Sequence, residues 1–376
     1  MDVAISIEWN DQEQVFLVCS FKMKTSIEDL PVEIWMFIFA YFEAHELLHA
    51  FTNLNHYFDQ LIASDYLLFP VRLGKNARNP LDYSITPYWS HSILNRILSL
   101  RPCIQHQTSH IPEFLRWHCY QLVQLKSLKV KLRGREISAL CTALPQLTAL
   151  DSLSIECVPN QMLLEAILSA PVLRICQLNF LRPVTPIKYY STNNLSSLEI
   201  LQIKLQDDSN SSIMNFLLNH MPRLKRLEMN NYDIYVKNRE WIFFQSLFVL
   251  PQLRTMKATW SANYSIPPVF QNLHQNLPAL QHLHVQIAFD FISEDLLNHI
   301  TDHWWPIFQT IEQINILIRC KHLSLIIDQQ LQTHLDAFQS TLFAINVQFN
   351  GSVKADYVEK FSMGHRISDI SICKFY

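Results

Sequence analysis

Glycine is the residue type that this chain most clearly lacks, with only four glycines among 376 residues. Average usage is about 7%, and phosphate-binding loops cluster glycines so that backbone N–H groups can approach the ligand. The four glycines are far apart, and the residues around Gly74-Lys75 contain neither the upstream glycine nor the hydroxyl residue of a P-loop. The sequence therefore argues against ATPases, GTPases and Rossmann dehydrogenases, and it predicts no cofactor.

Charge is also scarce. Charged residues make up 17% of the chain and hydrophobic residues 49%, whereas a typical soluble protein has about 25% charged residues. This composition predicts a folded chain with little disordered sequence. The formal net charge is -3, so the chain as a whole has no basic excess to drive binding to nucleic acid. We therefore expect neither DNA nor RNA as its main ligand.

Clustered cysteines and long apolar runs are absent as well. The eight cysteines are scattered with no C-x-x-C pair, which is typical of reduced thiols in the cytosol or nucleus. No apolar run reaches the roughly 18 residues of a membrane span. The first residues include Asp2, Glu8, Asp11 and Glu13 and do not form the basic start of a signal peptide. These features predict a soluble cytoplasmic or nuclear protein without membrane contacts.

Helices are predicted near the N-terminus, after an extension at 1–26. Apolar residues alternate loosely with polar ones in this extension, which indicates either a hairpin or a poorly ordered segment. Cap-forming residues followed by Pro31 predict the start of a helix. The run Ile34–Phe42 is apolar on every side of that helix, and a second apolar pattern at 47–62 predicts one or two more. About 40 residues cannot cover the first helix on all sides. It packs either on the rest of the chain or on a partner.

These residues resemble a known family. The motifs that carry the likeness are Leu30-Pro31-x-Glu33-Ile34, Ile38-Phe39-x-Tyr41-Phe42 and Glu46-Leu47-Leu48. In this order they resemble the F-box, here at 27–66, a three-helix module that binds the Skp adaptor of cullin-RING ubiquitin ligases. The resemblance implies that the following residues form or support the adaptor interface: Leu30, Pro31, Ile34, Ile38, Phe39, Phe42, Leu47 and Leu48. One departure is that Leu54 and Phe58 occupy the places of the family's closing Val-x-x-x-Trp.

A proline-rich segment at 67–117, with an apolar stretch at Ile93–Leu100, predicts a connector with one or two helices. After it, the pattern Leu-x-x-Leu-x-apolar recurs seven times. Its first positions are Leu125, Leu150, Ile175, Leu198, Leu224, Leu253 and Leu280, at spacings of 25, 25, 23, 26, 29 and 27 residues. Several units have a proline before the pattern and a helix-like run before the proline. Each unit is therefore predicted to form a strand, a loop and a helix that ends before the proline.

This period resembles the leucine-rich repeat. The resemblance implies an α/β fold, with an irregular solenoid at 118–376 that has parallel strands on its concave face and helices on its convex face. We expect irregularity because the Asn or Cys that normally follows the motif is absent. Weaker matches to the pattern, here called echoes, begin at Ile311, Leu342 and Ile367. Residues after about 290 are therefore predicted to be divergent repeats or a cap.

Side chains between the repeat leucines are predicted to point to the concave face, because side chains alternate along a strand. Solenoids use this face for binding. The candidate target-binding residues are Lys129, Lys131, Glu156, Asn179, Gln202, Lys204, Arg226, Glu228, Lys257, His282, His284 and Gln286. A plain solvated sheet face is the alternative interpretation for any one of them.

The sequence contains one match to a metal-binding motif. His45-Glu46-Leu47-Leu48-His49 matches the zincin pattern H-E-x-x-H, but a third ligand is required and neither Thr52 nor Asn55 supplies it. No local signature of a nucleophilic cysteine occurs either. We therefore predict no metal and no catalytic residue.

The sequence thus predicts an adaptor that is not itself an enzyme. Its F-box would bind a Skp-family protein and, through it, a cullin, and its repeats would select an unknown protein target for ubiquitin-dependent degradation. Two alternatives stay open. The first is a repeat scaffold in which the F-box-like helices only cap the solenoid, and the second is a zinc peptidase. A docking helix would leave Leu30, Ile34 and Phe39 at the surface, whereas a cap would bury all three.

Overall fold

The structure is a computed structural model of the full chain. It describes residues 6–9, 15–18, 29–42, 44–64, 67–73, 94–102, 111–181, 195–205, 211–231, 250–262, 277–289, 311–322, 340, 353–362 and 365–374. The chain divides into two compact units, Met1–Phe69 and Pro70–Tyr376. Each unit is described by itself below.

The first unit begins with two short strands, β1 (Ser6–Trp9) and β2 (Val15–Val18), which pair antiparallel. This pairing agrees with the hairpin interpretation of the N-terminal extension. Three helices follow: α1 (Val32–Phe39), α2 (Ala44–Phe51) and α3 (His56–Ala63). We call residues 29–64 the three-helix unit.

Side chains fix the ends of these helices. The side chain of Asn55 caps α3 by accepting a hydrogen bond from the backbone N–H of Phe58 at 3.0 Å. Just before it, Asn53 has a positive φ of 61°, a conformation that asparagine tolerates better than most residues. The hydroxyl of Tyr57 donates to the carbonyl of Leu30 at 3.2 Å and so ties α3 to the start of α1.

An aromatic cluster forms the core of the three-helix unit. Trp35 and Phe39, one helical turn apart on α1, are buried, and so is Phe58 of α3. The Trp35 and Phe58 rings meet edge to face with centroids 4.7 Å apart, and Phe51 of α2 lies 5.0 Å from Phe39 and 5.2 Å from Phe58. Ring pairs of this kind add about 0.5–1.5 kcal/mol each beyond the area they bury.

Twelve of the described strands form one sheet. Its strands are β3 (Phe69–Leu73), β4 (Ile97–Pro102), β5 (Ser127–Lys131), β6 (Ser152–Cys157), β7 (Ile175–Phe180), β8 (Ile200–Leu205), β9 (Arg226–Asn231), β10 (Thr255–Ala262), β11 (His282–Phe289), β12 (Gln313–His322), β13 (Val353–Ser362) and β14 (His365–Lys374). From β3 to β12 the strands neighbour one another in chain order. The described pairings from β4 to β12 are all parallel.

Helices lie between several of these strands. They are α4 (Ile111–His118), α5 (Ile137–Ala143), α6 (Gln161–Ser169) and α7 (Ser211–Asn219), with short 3-10 helices at Cys119–Gln121, Gly134–Glu136 and Leu144–Gln146. The predicted strand, loop, helix order is therefore present where α5, α6 and α7 follow β5, β6 and β8. The fold is α/β, and none of the helices in the described ranges is long and apolar enough to cross a membrane.

The sheet register aligns the repeat residues in two buried rows. The first row runs Leu128, Leu153, Cys176, Leu201, Leu227, Met256, Leu283 and Ile314, and the second runs Val130, Ile155, Leu178, Ile203, Met229, Ala258, Val285 and Ile316. Parallel strands put equivalent residues of successive repeats side by side, so each row is continuous across eight strands. The core of the second unit consists of these rows and of buried helix residues such as Leu140, Leu164 and Leu217.

Two predictions about the repeats need correction. The segment at 67–117, predicted to be a connector with one or two helices, contains most of helix α4. Its apolar stretch, however, ends in strand β4, whose Leu100 pairs with Leu128. The sheet therefore begins before residue 118. A short apolar run is compatible with helix or strand, and only its neighbours decide. In the third repeat the aligned pattern begins at Leu173 and not at Ile175, because Cys176 occupies the buried position of Leu153.

The C-terminal part also differs from a simple run of repeats. The echo at Ile311 precedes β12, which extends the parallel sheet. The echo at Ile367 lies in β14, which pairs antiparallel with β12 on one side and with β13 on the other. It is therefore not a further repeat, because a repeat strand would run parallel. The echo at Leu342 lies outside the described residues.

Backbone hydrogen bonds connect the starts of successive strands. From β6 to β11, the N–H of the first strand residue and that of the residue before it donate to one carbonyl before the preceding strand, for example Arg174 and Ile175 to the carbonyl of Asp151, both at 2.9 Å. We call this set of bonds the strand-start ladder. Its accepting carbonyls belong to Lys126, Asp151, Arg174, Glu199, Lys225 and Arg254. The ladder connects each strand start to the one before it.

Candidate functional site

Helix α1 carries exposed apolar side chains. Ile34, Phe37 and Tyr41 are 40%, 64% and 70% exposed. They lie three and four residues apart, which places them along one side of the helix and the turn after it. The rings of Phe37 and Tyr41 pack edge to face with centroids 5.3 Å apart. We call these three residues the apolar stripe, and neighbouring Val32 is exposed as well.

Exposed apolar side chains in this arrangement are unusual for a helix with its own core. Trp35 and Phe39 already occupy the side of α1 that faces α2 and α3. The stripe is on the other side, and covering the apolar area that it still exposes would be favourable by about 25 cal/mol per Å². These exposed apolar side chains lie together, so the apolar stripe is a candidate interaction surface.

The predicted adaptor residues divide into two groups. Pro31 and Ile34 are exposed, and Leu30, Ile38 and Phe42 are half-buried. The other three, Phe39, Leu47 and Leu48, are buried in the three-helix unit. The expectation that Phe39 lies at the surface of a docking helix is therefore wrong. Its ring packs on Trp35 and Phe51, so it stabilises the core of the three-helix unit and is not accessible to a partner.

Sequence reasoning missed Phe37 and Tyr41 as site residues. Both were present in the apolar run, but that run gave no indication of which side faces inward. The signal that could have found them is the i, i+4 spacing of Trp35 and Phe39. Once these two largest side chains are assigned to the core, Phe37 and Tyr41 belong to the opposite side. Leu54, in the place of the family's Val, is exposed, and Phe58 is buried.

The second candidate surface is the side of the sheet opposite the buried rows. The register places side chains there in three rows. The lower row is Ser127, Ser152, Ile175, Ile200, Arg226, Thr255, His282 and Gln313; the central row is Lys129, Ser154, Gln177, Gln202, Glu228, Lys257, His284 and Asn315; the upper row is Lys131, Glu156, Asn179, Lys204, Asn230, Thr259, Gln286 and Leu317. We call these rows the polar face.

All twelve residues predicted to face the target lie on the polar face. The misaligned third repeat did not affect Asn179, because a shift of two residues keeps a side chain on the same side of a strand. The prediction left out other uncharged members of the rows, such as Ser154, Gln177 and Asn315. The hydroxyl of Ser154 donates to the side-chain oxygen of Gln177 on the next strand at 3.1 Å.

Ion pairs neutralise both glutamates of the polar face. The Nζ of Lys131 pairs with Glu156 on the neighbouring strand. On β9, Nε of Arg226 donates to Oε1 of Glu228 at 2.7 Å, and a second guanidinium nitrogen contacts the same oxygen. Glu228 is buried, so this pair sits in a more protected place than an ordinary surface pair. Lys257, the next residue of the central row, is exposed.

His284 lies beside Lys257 in the central row. Burial, and to a smaller extent the neighbouring ammonium of Lys257, hold the pKa of His284 below its usual 6.5. The imidazole is therefore neutral at pH 7. It adds a hydrogen-bonding group to the polar face without adding charge.

Charged side chains also alternate along the strand-start ladder. Arg174 lies 3.3 Å from Glu199 and 3.8 Å from Asp151, and Lys225 lies 3.0 Å from Glu199 on its other side. Hydrogen bonds from Arg174 and then Lys225 lower the pKa of the Glu199 carboxyl. These pairs are solvent-exposed, so each adds little to the stability of the fold. They fit a structural role at the edge of the face.

The four cysteines whose side chains are described are not activated as nucleophiles. Burial raises the pKa of the Cys157 thiol to about 12 and that of Cys141 to about 11, and it raises the pKa of Cys119 and Cys176 as well. These thiols are protonated at neutral pH and poor nucleophiles. Among the described residues no group of three His, Cys, Asp or Glu side chains could hold a metal ion. The side chain of His45, from the H-E-x-x-H match, lies outside the described residues.

Comparison of the sequence with protein-family models gave no match, and comparison with curated proteins found no similar protein.

Proposed function

We propose that this chain is the target-recognition subunit of a cullin-RING ubiquitin ligase. In this proposal the three-helix unit is an F-box that binds a Skp-family adaptor, and the strand-and-helix repeats are leucine-rich repeats that bind a target protein. The adaptor links the chain to a cullin in the cytoplasm or nucleus. The chain performs no chemistry itself, and it raises the effective concentration of the target near the ligase's ubiquitin-loaded partner.

The observation that carries the proposal is the apolar stripe on α1. The family motifs occur in order around it, from Leu30-Pro31 to Leu47-Leu48. The unit folds around its own aromatic core and still presents Ile34, Phe37 and Tyr41 to solvent. An apolar helix face of this kind, with anchors at i, i+3 and i+7, is the geometry that a partner's helices can cover.

Reconstitution with the adaptor tests this function. The purified full chain is mixed with a Skp-family adaptor and a cullin, and complex formation is followed by pull-down and size-exclusion chromatography. The diagnostic variant is Ile34→Asp with Phe37→Asp, since both side chains are exposed and the substitutions leave the aromatic core intact. The matched control is Met162→Asp with Leu195→Asp, two exposed apolar residues of the second unit.

We expect the wild-type chain and the control to bind the adaptor and the double variant to lose binding. If a folded wild-type chain fails to bind, the ligase function is wrong. The chain is then a repeat scaffold whose F-box-like helices serve as a cap.

A further inference from the structure

The polar face is basic in a chain that is acidic overall. Five of its side chains in the three rows are basic, namely Lys129, Lys131, Lys204, Arg226 and Lys257, and two are acidic, Glu156 and Glu228. The rows contain no aspartate. The face therefore carries a formal charge of +3, whereas the whole chain carries -3. A surface whose sign is opposite to that of the molecule attracts a partner of the complementary sign.

The basic side chains of the central row are Lys129 and Lys257. Glu156 is neutralised by Lys131, and Glu228 is neutralised by Arg226. Lys129 and Lys257 are exposed, and neither forms an ion pair with another described residue. Their ammonium groups are the free positive charges of the central row.

The spacing of these two lysines defines the shape of the partner. They belong to β5 and β10 in the same row, so five strand spacings, about 24 Å along the sheet, separate them. A small anion can contact only one of them. An extended peptide advances about 3.3 Å per residue, so about seven residues reach from one lysine to the other.

The side chains between the lysines suit a peptide main chain. Three of the four, Ser154, Gln177 and Gln202, offer hydroxyl and amide groups that both donate and accept hydrogen bonds, as peptide N–H and C=O groups require. The fourth, Glu228, lies next to Lys257, and its charge is compensated by Arg226. The three rows contain no Phe, Tyr or Trp on which a nucleic-acid base could stack. These two observations favour a peptide over a nucleic acid.

We propose that the polar face binds an extended, glutamate- or aspartate-rich segment of a protein, with Lys129 and Lys257 as its two charged anchors. This inference rests on the proposed function, because it describes the target end of the same molecule. It narrows the target from any protein to one that exposes an acidic, extended segment of about seven residues or more.

Peptide binding to the full chain tests the inference. The probe is a fluorescein-labelled decapeptide of alternating glutamate and serine, and the reference peptide replaces each glutamate by glutamine. Binding is measured by fluorescence anisotropy at low and high salt. The test variant is Lys129→Glu with Lys257→Glu, and the matched control is Arg135→Glu with Arg223→Glu, two exposed basic residues outside the three rows. A milder variant, Lys129→Gln with Lys257→Gln, serves if the reversal disturbs folding.

We expect the acidic peptide to bind the wild-type chain, more weakly at high salt because salt screens exposed charges. Charge reversal at Lys129 and Lys257 should weaken binding at least about tenfold, and the control should change it less than about twofold. Three results overturn the inference: the folded wild-type chain ignores the acidic peptide, the glutamine peptide binds equally well, or a 20-nucleotide single-stranded DNA binds more tightly and competes.

The adaptor assay separates this inference from the proposed function. The lysine variants should keep adaptor binding, because neither substitution lies in the three-helix unit. If the adaptor binds and the acidic peptide does not, only the inference about the target fails. If the wild-type chain binds the peptide and ignores the adaptor, the ligase function fails and the acidic-peptide site stands.

Discussion

Two phenylalanines on α1, two residues apart, should respond to the same substitution in opposite ways. Phe39 is 2% exposed and packs on Trp35 and Phe51, so Phe39→Ala leaves a cavity and should cost about 3–5 kcal/mol of the free energy of unfolding. Phe37 is 64% exposed. Phe37→Ala should therefore change the free energy of unfolding by less than about 0.5 kcal/mol.

The effect on adaptor binding should be reversed. An aromatic side chain offers about 200 Å² of surface, so about 130 Å² of Phe37 remains to be buried by a partner. At about 25 cal/mol per Å² this amounts to an upper limit of about 3 kcal/mol, or about 100-fold in the dissociation constant. Since part of this area stays uncovered in real interfaces, we expect Phe37→Ala to weaken adaptor binding between about tenfold and 100-fold.

Urea unfolding followed by circular dichroism gives the first quantity, and biolayer interferometry with an immobilised Skp-family adaptor gives the second. Phe39→Ala should be measured for binding only at temperatures where it is still folded. The reasoning is refuted if Phe37→Ala destabilises the chain as much as Phe39→Ala does, or if it leaves adaptor binding unchanged.

Three further outcomes are expected from the second unit. The side chain of Asn160 caps α6 by accepting a hydrogen bond from the N–H of Leu163 at 2.9 Å, so Asn160→Ala should lower the free energy of unfolding by about 1 kcal/mol in urea titration; no change contradicts the cap. Because burial raises the pKa of Cys157 and Cys176, brief alkylation with iodoacetamide followed by peptide mass spectrometry should modify them much more slowly in the folded chain than in urea, and equal rates contradict their burial. The pKa of His284 is below 6.5 in the folded chain, so the unfolded chain binds more protons and stability falls as the pH falls through 6.5. His284→Gln should reduce this loss between pH 7.5 and 5.5, and a steeper loss in the variant contradicts the sign.

The repeats could be predicted from sequence because parallel strands repeat one spacing. Seven occurrences of the same pattern identified strands β5 to β11, and alternation then placed all twelve candidate residues on one face. The errors arose where the pattern is ambiguous. Ile175 and Leu173 both fit the first repeat position, and only the pairing of Cys176 with Leu153 decides between them.

The three-helix unit was harder to interpret from sequence. The motif order indicated which residues belong together, but an apolar run such as Ile34–Phe42 contains no polar residue to mark its outer side. Tertiary contacts determine which side of α1 is buried, since Trp35 and Phe39 pack on α2 and α3 and leave Phe37 exposed. The direction of β14 was equally unpredictable, because a strand's own sequence does not encode the direction of its neighbour.

The central claim is that the adaptor binds to the apolar stripe, and hydrogen–deuterium exchange of the full chain with and without a Skp-family adaptor tests it most directly. Bound adaptor should slow amide exchange in peptides that cover 32–42, where Ile34, Phe37 and Tyr41 are exposed in the free chain. Peptides that cover β5 and β10 on the polar face should be unaffected. If the adaptor leaves exchange in 32–42 unchanged, or protects the polar face in its place, the account of this molecule as an adaptor-bound target receptor is contradicted.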